Sequence, residues 1–440
     1  MELTYQSGYG STFESEALPG ALPRGQNAPR RAPYGLYPEL VNGTAFTVRR
    51  AENSRLWLYK IRPSVQHGEF EPIDAGRWVA DFRHTTPNVM RWKPLPLPGA
   101  GERVDFVAGM TTFGGHGDPL TRKGYAIHLY TANADMGDSC FYDVDGDLLI
   151  VPERGPLLCT TELGRLHVAP GEVLILPRGL KANIALPDGE ARGYALEVYG
   201  EHFRLPERGP MGSNGLADAR HFLAPVAHYE DRACDGYRVI ARMGGGMYAA
   251  TQSHSPFDAV AWHGNYAPYK YDLANFNAMG TVRFDHPDPS IHTVLTAPYD
   301  DHGSAIADFV VFPGRWEVAE HSFRPPMYHR NSATEFNGIV RMQTPAGGFA
   351  PGCYFCTPML SAHGVNAASV ERNFSMSDDQ ADRPNRIPDE SLWVMFESAL
   401  PIRLTEWAMT SPNRDAGYRA AFQHERSHFT PDDIAGSWDE

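Results

Sequence analysis

The residues best suited to chemistry lie in one stretch and its sequel. Pro325-Pro326-Met327-Tyr328-His329-Arg330-Asn331-Ser332-Ala333-Thr334-Glu335-Phe336 is followed downstream by Ser361-Ala362-His363-Gly364. His329 and Glu335 are six positions apart, and His363 lies 28 residues beyond Glu335. Two imidazoles and one carboxylate are the donor set that holds a non-haem Fe(II) with positions left open for substrate and O₂. The competing reading of the same residues is a capping glutamate and two histidines satisfied at the surface or in the core. Spacing leaves both open, because it does not show that the three side chains converge.

Other chemistry-bearing residues carry less. Cys353-Tyr354-Phe355-Cys356 is a C-x₂-C, but the five cysteines hold no second such pair. That excludes a four-cysteine zinc site and leaves two packed thiols as the expectation. Gly244-Gly245-Gly246 reads as a hairpin turn, since no helix start and no Lys-Ser/Thr follows to make a phosphate loop. No G-x-S-x-G is present.

The elements that must position these residues are mostly strands. The chain has 440 residues, which predicts two or three domains with ample core. Hydrophobic residues make up 42% and charged residues 21%, so a disordered chain is excluded. Net charge is −14 with no basic block, which argues against nucleic acid as a partner. No run approaches the 18 or so apolar residues of a membrane span. Met1–Gln6 shows no basic and apolar leader, and the odd cysteine count fits a reducing compartment, so the expectation is a cytoplasmic protein without membrane partners. The 36 Pro and 42 Gly are scattered along the whole chain and interrupt it too often for long helices.

Residues 1–50 read as an extended arm whose aromatics, among them Tyr5, Tyr9, Tyr34, Tyr37 and Phe46, must pack on the N-terminal domain or a neighbouring subunit. Strand-like runs follow at Ser54–Ile61, Val104–Ala108 and Tyr125–Tyr130. From Cys140 to Tyr199, short apolar runs alternate with turns such as Asp145-Gly146-Asp147, Pro170-Gly171 and Pro187-Asp188-Gly189, the pattern of a β-sandwich or barrel. Pro170–Gly179 resembles the second half of a cupin repeat, but no metal-binding His-x-His accompanies it. A second strand-rich region holds Thr293–Leu295, Ala307–Phe312, Gly338–Met342, Leu392–Ser398 and Ile402–Thr405. Helix is expected only at Leu273–Met279 and Asp415–His424. The aromatic stretch Trp262–Tyr271 reads as packing at a domain or subunit contact. The prediction is a mainly β chain: the arm 1–50, an N-terminal β-sandwich domain over 51–280 without metal, and a C-terminal catalytic domain over 281–440.

Collinear stretches then point to a family. They include Ser7-Gly8-Tyr9-Gly10, Leu22–Asn27, Arg91-Trp92-Lys93-Pro94, Leu196–Gly200, Trp262–Tyr266, Asp285–Ile291, Tyr328-His329-Arg330-Asn331, Met395-Phe396-Glu397-Ser398 and Ser427–Pro431. From Tyr5 to about Pro431 the chain resembles homogentisate 1,2-dioxygenases. The resemblance implies a jelly-roll, cupin-like C-terminal domain and homo-trimers or homo-hexamers. It implies Fe(II) as cofactor, held by His329, Glu335 and His363, with His286 as the active-site base. The implied partners are a small aromatic para-diol and O₂, and the implied product from homogentisate is maleylacetoacetate, in tyrosine and phenylalanine catabolism.

Two departures bear on the substrate. The family's tyrosine nine residues after the ligand carboxylate is Thr344 here, and its histidine six residues before the last ligand is Thr357. Besides His363, Thr344 and Tyr354 are the residues expected to meet the substrate. The alternatives are the same chemistry on another hydroquinone such as a gentisate-like para-diol, a cupin-type zinc isomerase, or a non-catalytic binding protein.

Overall fold

A computed structural model describes residues 3–207, 216–279, 292–300, 303–323 and 327–431. Nearly all regular structure is β. A nine-stranded sheet runs in the order Tyr5–Ser7, Phe222–Pro225, Tyr269–Asp272, Glu172–Leu176, Gly146–Arg154, Ala191–Tyr199, Lys123–Ala132, Met110–Asp118 and Arg403–Leu404. Its central strands, such as Gly146–Arg154, are buried on both faces, which is why that strand contains the unbroken apolar run Leu148–Pro152. A seven-stranded sheet including Ser139–Asp143, Ala233–Met243 and Gly246–His254 faces it. The rings of Trp78 and Phe106 close on Phe141 between them. Gly244 and Gly245, both at positive φ, make the hairpin turn that joins Ala233–Met243 to Gly246–His254.

The first 50 residues are more than an arm. Tyr5–Ser7 is an edge of the nine-stranded sheet, and Phe13–Glu16 and Tyr37–Asn42 form the two edges of a four-stranded sheet with Ala259–Gly264 and Arg55–Lys60. Leu22–Asn27 stays irregular. Three other expectations need correction. Val104–Ala108 is a turn, because the Asp105 carboxylate accepts from the Ala108 N–H and its carbonyl from the Gly109 N–H. Side-chain bonding to local main chain outcompetes β propensity there. Leu273–Met279 and Asp415–His424 shrink to the 3₁₀ turns Leu273–Asn275 and Tyr418–Phe422. The longest described helix is one the sequence reading missed, Ala367–Ser375, whose N-cap is Asn366.

The sheet that matters for chemistry has six strands: Thr293–Pro298, Ala305–Phe312, Leu392–Ser398, Thr334–Arg341, Tyr354–Thr357 and Met90–Trp92. The last of these comes from the N-terminal half. In return Arg403–Leu404, from the C-terminal half, completes the nine-stranded sheet. Each half thus lends the other an edge strand. One face of the six-stranded sheet carries Phe309, Phe336, Tyr354, Cys356 and Phe396, all buried in the main core. Gly338 lies on that face too. A Cβ there would meet the Tyr194 ring at 2.7 Å, so glycine permits the close approach. The Tyr194 hydroxyl donates to the carbonyls of Ile339 and Cys353.

Candidate metal centre

Period-two alternation puts Glu335 on the opposite face from Phe336. Glu335 enters near the start of Thr334–Arg341 and is buried, 6% exposed. The histidines arrive from loops beside that strand end. His329 and His363 form a two-residue antiparallel bridge of their own, His329 N–H to His363 C=O at 3.0 Å and His363 N–H to His329 C=O at 3.1 Å. Their ring centroids are 4.0 Å apart. One further main-chain bond, Leu360 N–H to Asn331 C=O at 2.9 Å, steadies the pairing. Tyr328 packs over Gly364, where a Cβ would lie 2.6 Å from the ring. The Ser361 hydroxyl donates to the Pro87 carbonyl of the N-terminal half.

The tautomers follow from the hydrogen bonds. His329 Nδ1 lies 2.8 Å from the Met327 carbonyl, and His363 Nδ1 lies 2.9 Å from the Ser361 carbonyl. A carbonyl only accepts, so each Nδ1 carries the proton and each Nε2 keeps a free lone pair. One ligand atom from each of His329, Glu335 and His363 lies within 4.8 Å of the others. His363 Nε2 is buried without a hydrogen-bond partner, 3.4 Å from Glu335 Oε1. An orphaned buried imidazole nitrogen beside a carboxylate and a second free imidazole is what a metal ion satisfies. The donor set therefore fits a divalent metal ion. Asn331 Nδ2 donates to Glu335 Oε1 at 2.7 Å, while Asn331 Oδ1 accepts from the Ala333 N–H, which fixes the amide's orientation. Burial works to raise the Glu335 carboxyl, but without a metal a protonated His363 ring, helped by Asn331, holds it below its usual value, and a bound cation would take the place of that proton. Asn331 is the supporting residue that sequence reasoning did not single out. Its signal was a polar amide two positions after one ligand and four before another.

The other expected site residues fall differently. His286 lies outside the described residues. Tyr354 does not meet the site: it is three positions before Thr357, so it takes the other face, where its ring stacks on Trp92 at 5.6 Å and 3° in the core. Thr344 is an exposed loop residue beyond Arg341, at the end of the strand away from Glu335. Six residues of strand carry the chain about 20 Å from the carboxylate. Thr357, by contrast, is paired directly with Glu335. Cys353 and Cys356 are buried free thiols.

A second acidic group, Asp143, Asp145 and Glu197, converges in the N-terminal half. There the buried guanidinium of Arg242 already stands 3.3 Å from Glu197, and His128 Nε2 lies 2.9 Å from the same carboxylate. The cation of that cluster is built into the chain.

The fold and the site together define a mostly β protein with a candidate metal site of two histidines and one carboxylate at the end of a six-stranded sheet. Family models are more specific. Residues 4–273 match the N-terminal domain of homogentisate 1,2-dioxygenase, and residues 274–429 match its C-terminal domain. A homogentisate 1,2-dioxygenase of Oryza sativa subsp. japonica is 47% identical over 442 aligned positions, covering 98% of this chain and 93% of the relative. The chain belongs to the homogentisate 1,2-dioxygenase family. Among solved structures, a Bacillus subtilis oxalate decarboxylase mutant aligns over 75% of this chain and 83% of its own, at 11% identity and a TM-score of 0.29. The Ylba protein of E. coli aligns over 72% of this chain and 94% of its own, at 8% identity and a TM-score of 0.29.

Proposed function

We propose that this protein cleaves the ring of homogentisate with O₂, giving maleylacetoacetate, at an Fe(II) held by His329 Nε2, His363 Nε2 and the Glu335 carboxylate. The observation that carries the metal is the convergence of those donors within 4.8 Å with both Nδ1–H groups committed to carbonyls. The substrate rests on the 47% identity to the rice relative.

When bound, Fe(II) would bind both the diol and O₂ and pass electron density from the electron-rich ring to triplet O₂. The chain's residues do the rest. Two neutral imidazoles and one carboxylate leave a divalent site at about +1, which favours a phenolate over a neutral phenol. Asn331 holds the Glu335 carboxylate against rotation, so the carboxylate would meet the metal in a fixed orientation. His286 takes the phenolic proton in this reading. That role rests on the Asp285-His286-Pro287-Asp288 match, and an imidazole pKa of about 6.5 suits it at neutral pH. Trimers or hexamers complete the proposal. They would cover Tyr34, Tyr37 and Phe46, which are 63%, 51% and 80% exposed in the single chain.

A second reading keeps the chemistry and changes the diol. Thr357 favours it, because the position facing Glu335 bears a small hydroxyl where the family carries an imidazole. Metal analysis and O₂ uptake with homogentisate, gentisate and other substituted hydroquinones test both readings, with product identity read from ultraviolet spectra. Iron with homogentisate-dependent O₂ uptake supports the first. Uptake with another para-diol alone supports the second, and zinc without O₂ uptake sinks both.

A further inference from the structure

We infer that the Thr357 hydroxyl is a substrate contact, donating a hydrogen bond to the diol oxygen that binds at the metal. The inference rests on the functional reading above and adds a specificity-determining residue to it.

Three observations carry it. Thr357 ends the strand Tyr354–Thr357 and pairs directly with Glu335 across the sheet. Opposed residues of an antiparallel pair share a face, with Cβ atoms about 4.5–5.5 Å apart. The threonine side chain therefore stands beside the ligand carboxylate, on the face away from the aromatic core. Thr357 is also 1% exposed, and its Oγ1 is buried with no hydrogen-bond partner. Buried hydroxyls are rarely left this way, because the lost hydration is not replaced. Finally, the hydroxyl has no task in the strand itself. Valine has the same branched shape and an equal preference for a strand, so folding alone does not call for oxygen here.

Two unpartnered buried polar atoms thus flank one carboxylate, His363 Nε2 and Thr357 Oγ1. They ask for different things. The imidazole nitrogen offers a lone pair to a metal ion. The hydroxyl can rotate to donate to an oxygen, and it suits a phenolate, which accepts strongly and needs a donor from outside the metal. An aromatic diol bound through one deprotonated oxygen satisfies it. A carboxylate substituent on the ring calls for a cation instead, and Thr357 is neutral.

The test compares the wild-type protein with Thr357→Val and Thr357→Ser. Thermal unfolding and iron content are measured first. Homogentisate binding to the iron-loaded proteins is then followed by calorimetry under nitrogen. Valine should leave iron content unchanged and the melting temperature unchanged or raised, since it removes an unsatisfied buried hydroxyl. Homogentisate should bind Thr357→Val about tenfold more weakly, the effect of losing one hydrogen bond to a charged oxygen. Serine should keep most of the affinity. Wild-type affinity in Thr357→Val overturns the inference. So does a parallel fall in melting temperature, iron and affinity, which marks a structural role. Failure of the functional reading looks different: the wild-type protein itself then takes up no iron, or consumes no O₂ with any para-diol.

Discussion

At the scale of single residues, the centre is held by main-chain geometry as much as by side chains. The proposed ligands His329 and His363 face one another because a reciprocal backbone bridge sets their rings 4.0 Å apart, and their Nδ1 atoms are already committed to carbonyls. Replacing His329 with Ala removes one of three donors. The purified protein should lose its iron and its O₂ uptake together, while the melting temperature of the metal-free form barely moves, since His329 is a partly exposed loop residue. Asn331→Ala should act more gently. It keeps all three donors but frees the Glu335 carboxylate, so iron affinity should fall by about 10–100-fold, read by metal titration against a competing chelator. Unchanged affinity in that variant would mean the amide only braces the loop.

At the scale of elements, strand parity sorts the candidates. Tyr354 and Thr357 sit three positions apart on one strand, and an odd separation sends one into the aromatic core and the other to the face that carries Glu335. The same six-stranded sheet depends on Met90–Trp92, a strand donated by the N-terminal half. Arg91 on that strand ties three segments together. Its Nε lies 3.1 Å from Asp415 Oδ2, its Nη1 donates to the Gly347 carbonyl at 2.6 Å, and its guanidinium lies 4.6 Å from the ring centres of Phe349 and Tyr418. Arg91→Ala leaves Asp415 without its cationic partner, with only the Gly417 N–H still donating to it, and should cost about 2 kcal/mol in a denaturant titration. Arg91→Lys should recover little, because an ammonium cannot reproduce the planar fork between two acceptors and two rings. Full stability in either variant would show that the edge strand is held by its ladder alone.

At the scale of the whole molecule, acid tolerance should depend on the polar cluster inside the N-terminal half. Burial works to raise the Glu197 carboxyl, but Arg242 and His128 outweigh it and hold the group below its usual range. Folding therefore favours its ionised form. The stability it contributes is present above the ordinary carboxylate value of about 4.3 and is lost as pH falls through the lower folded value. Asp143 has the opposite sign: burial and the neighbouring Glu197 charge raise it, so folding favours its protonated form and its contribution fades as pH rises. Glu197→Gln leaves Arg242 buried without its main counter-charge and should destabilise at pH 7 by about 3 kcal/mol. Its stability should also decline less steeply than wild type on acidification. Melting curves from pH 7 to pH 3 compare the two slopes, and parallel slopes would remove Glu197 from the account.

Much of this protein could be read directly from its residues. Runs such as Leu148–Pro152 and Leu392–Ser398 state their strands because a half- or fully buried strand needs an apolar side chain at least at every second position. His329, Glu335 and His363 stand out as candidate donors by their types alone, and chain-long matching stretches point to the family. Local features that depend on a few competing bonds were less legible. Val104–Ala108 has strand composition, yet the Asp105 side chain turns it, and the Asn366 cap starts a helix where none was expected. Tertiary structure alone decided that the three donors meet, that Asn331 stands behind Glu335, and that Tyr354 faces the core while Thr357 faces the ligand. It also decided that each half completes the other's sheet. Asn331 and Glu335 are only four positions apart, and their contact depends on how the loop enters the strand; the other three share one physical reason. Pairing register and the face a side chain occupies come from strands 20 to 300 residues apart meeting in space, and no local pattern of residue types records which strand will be the neighbour.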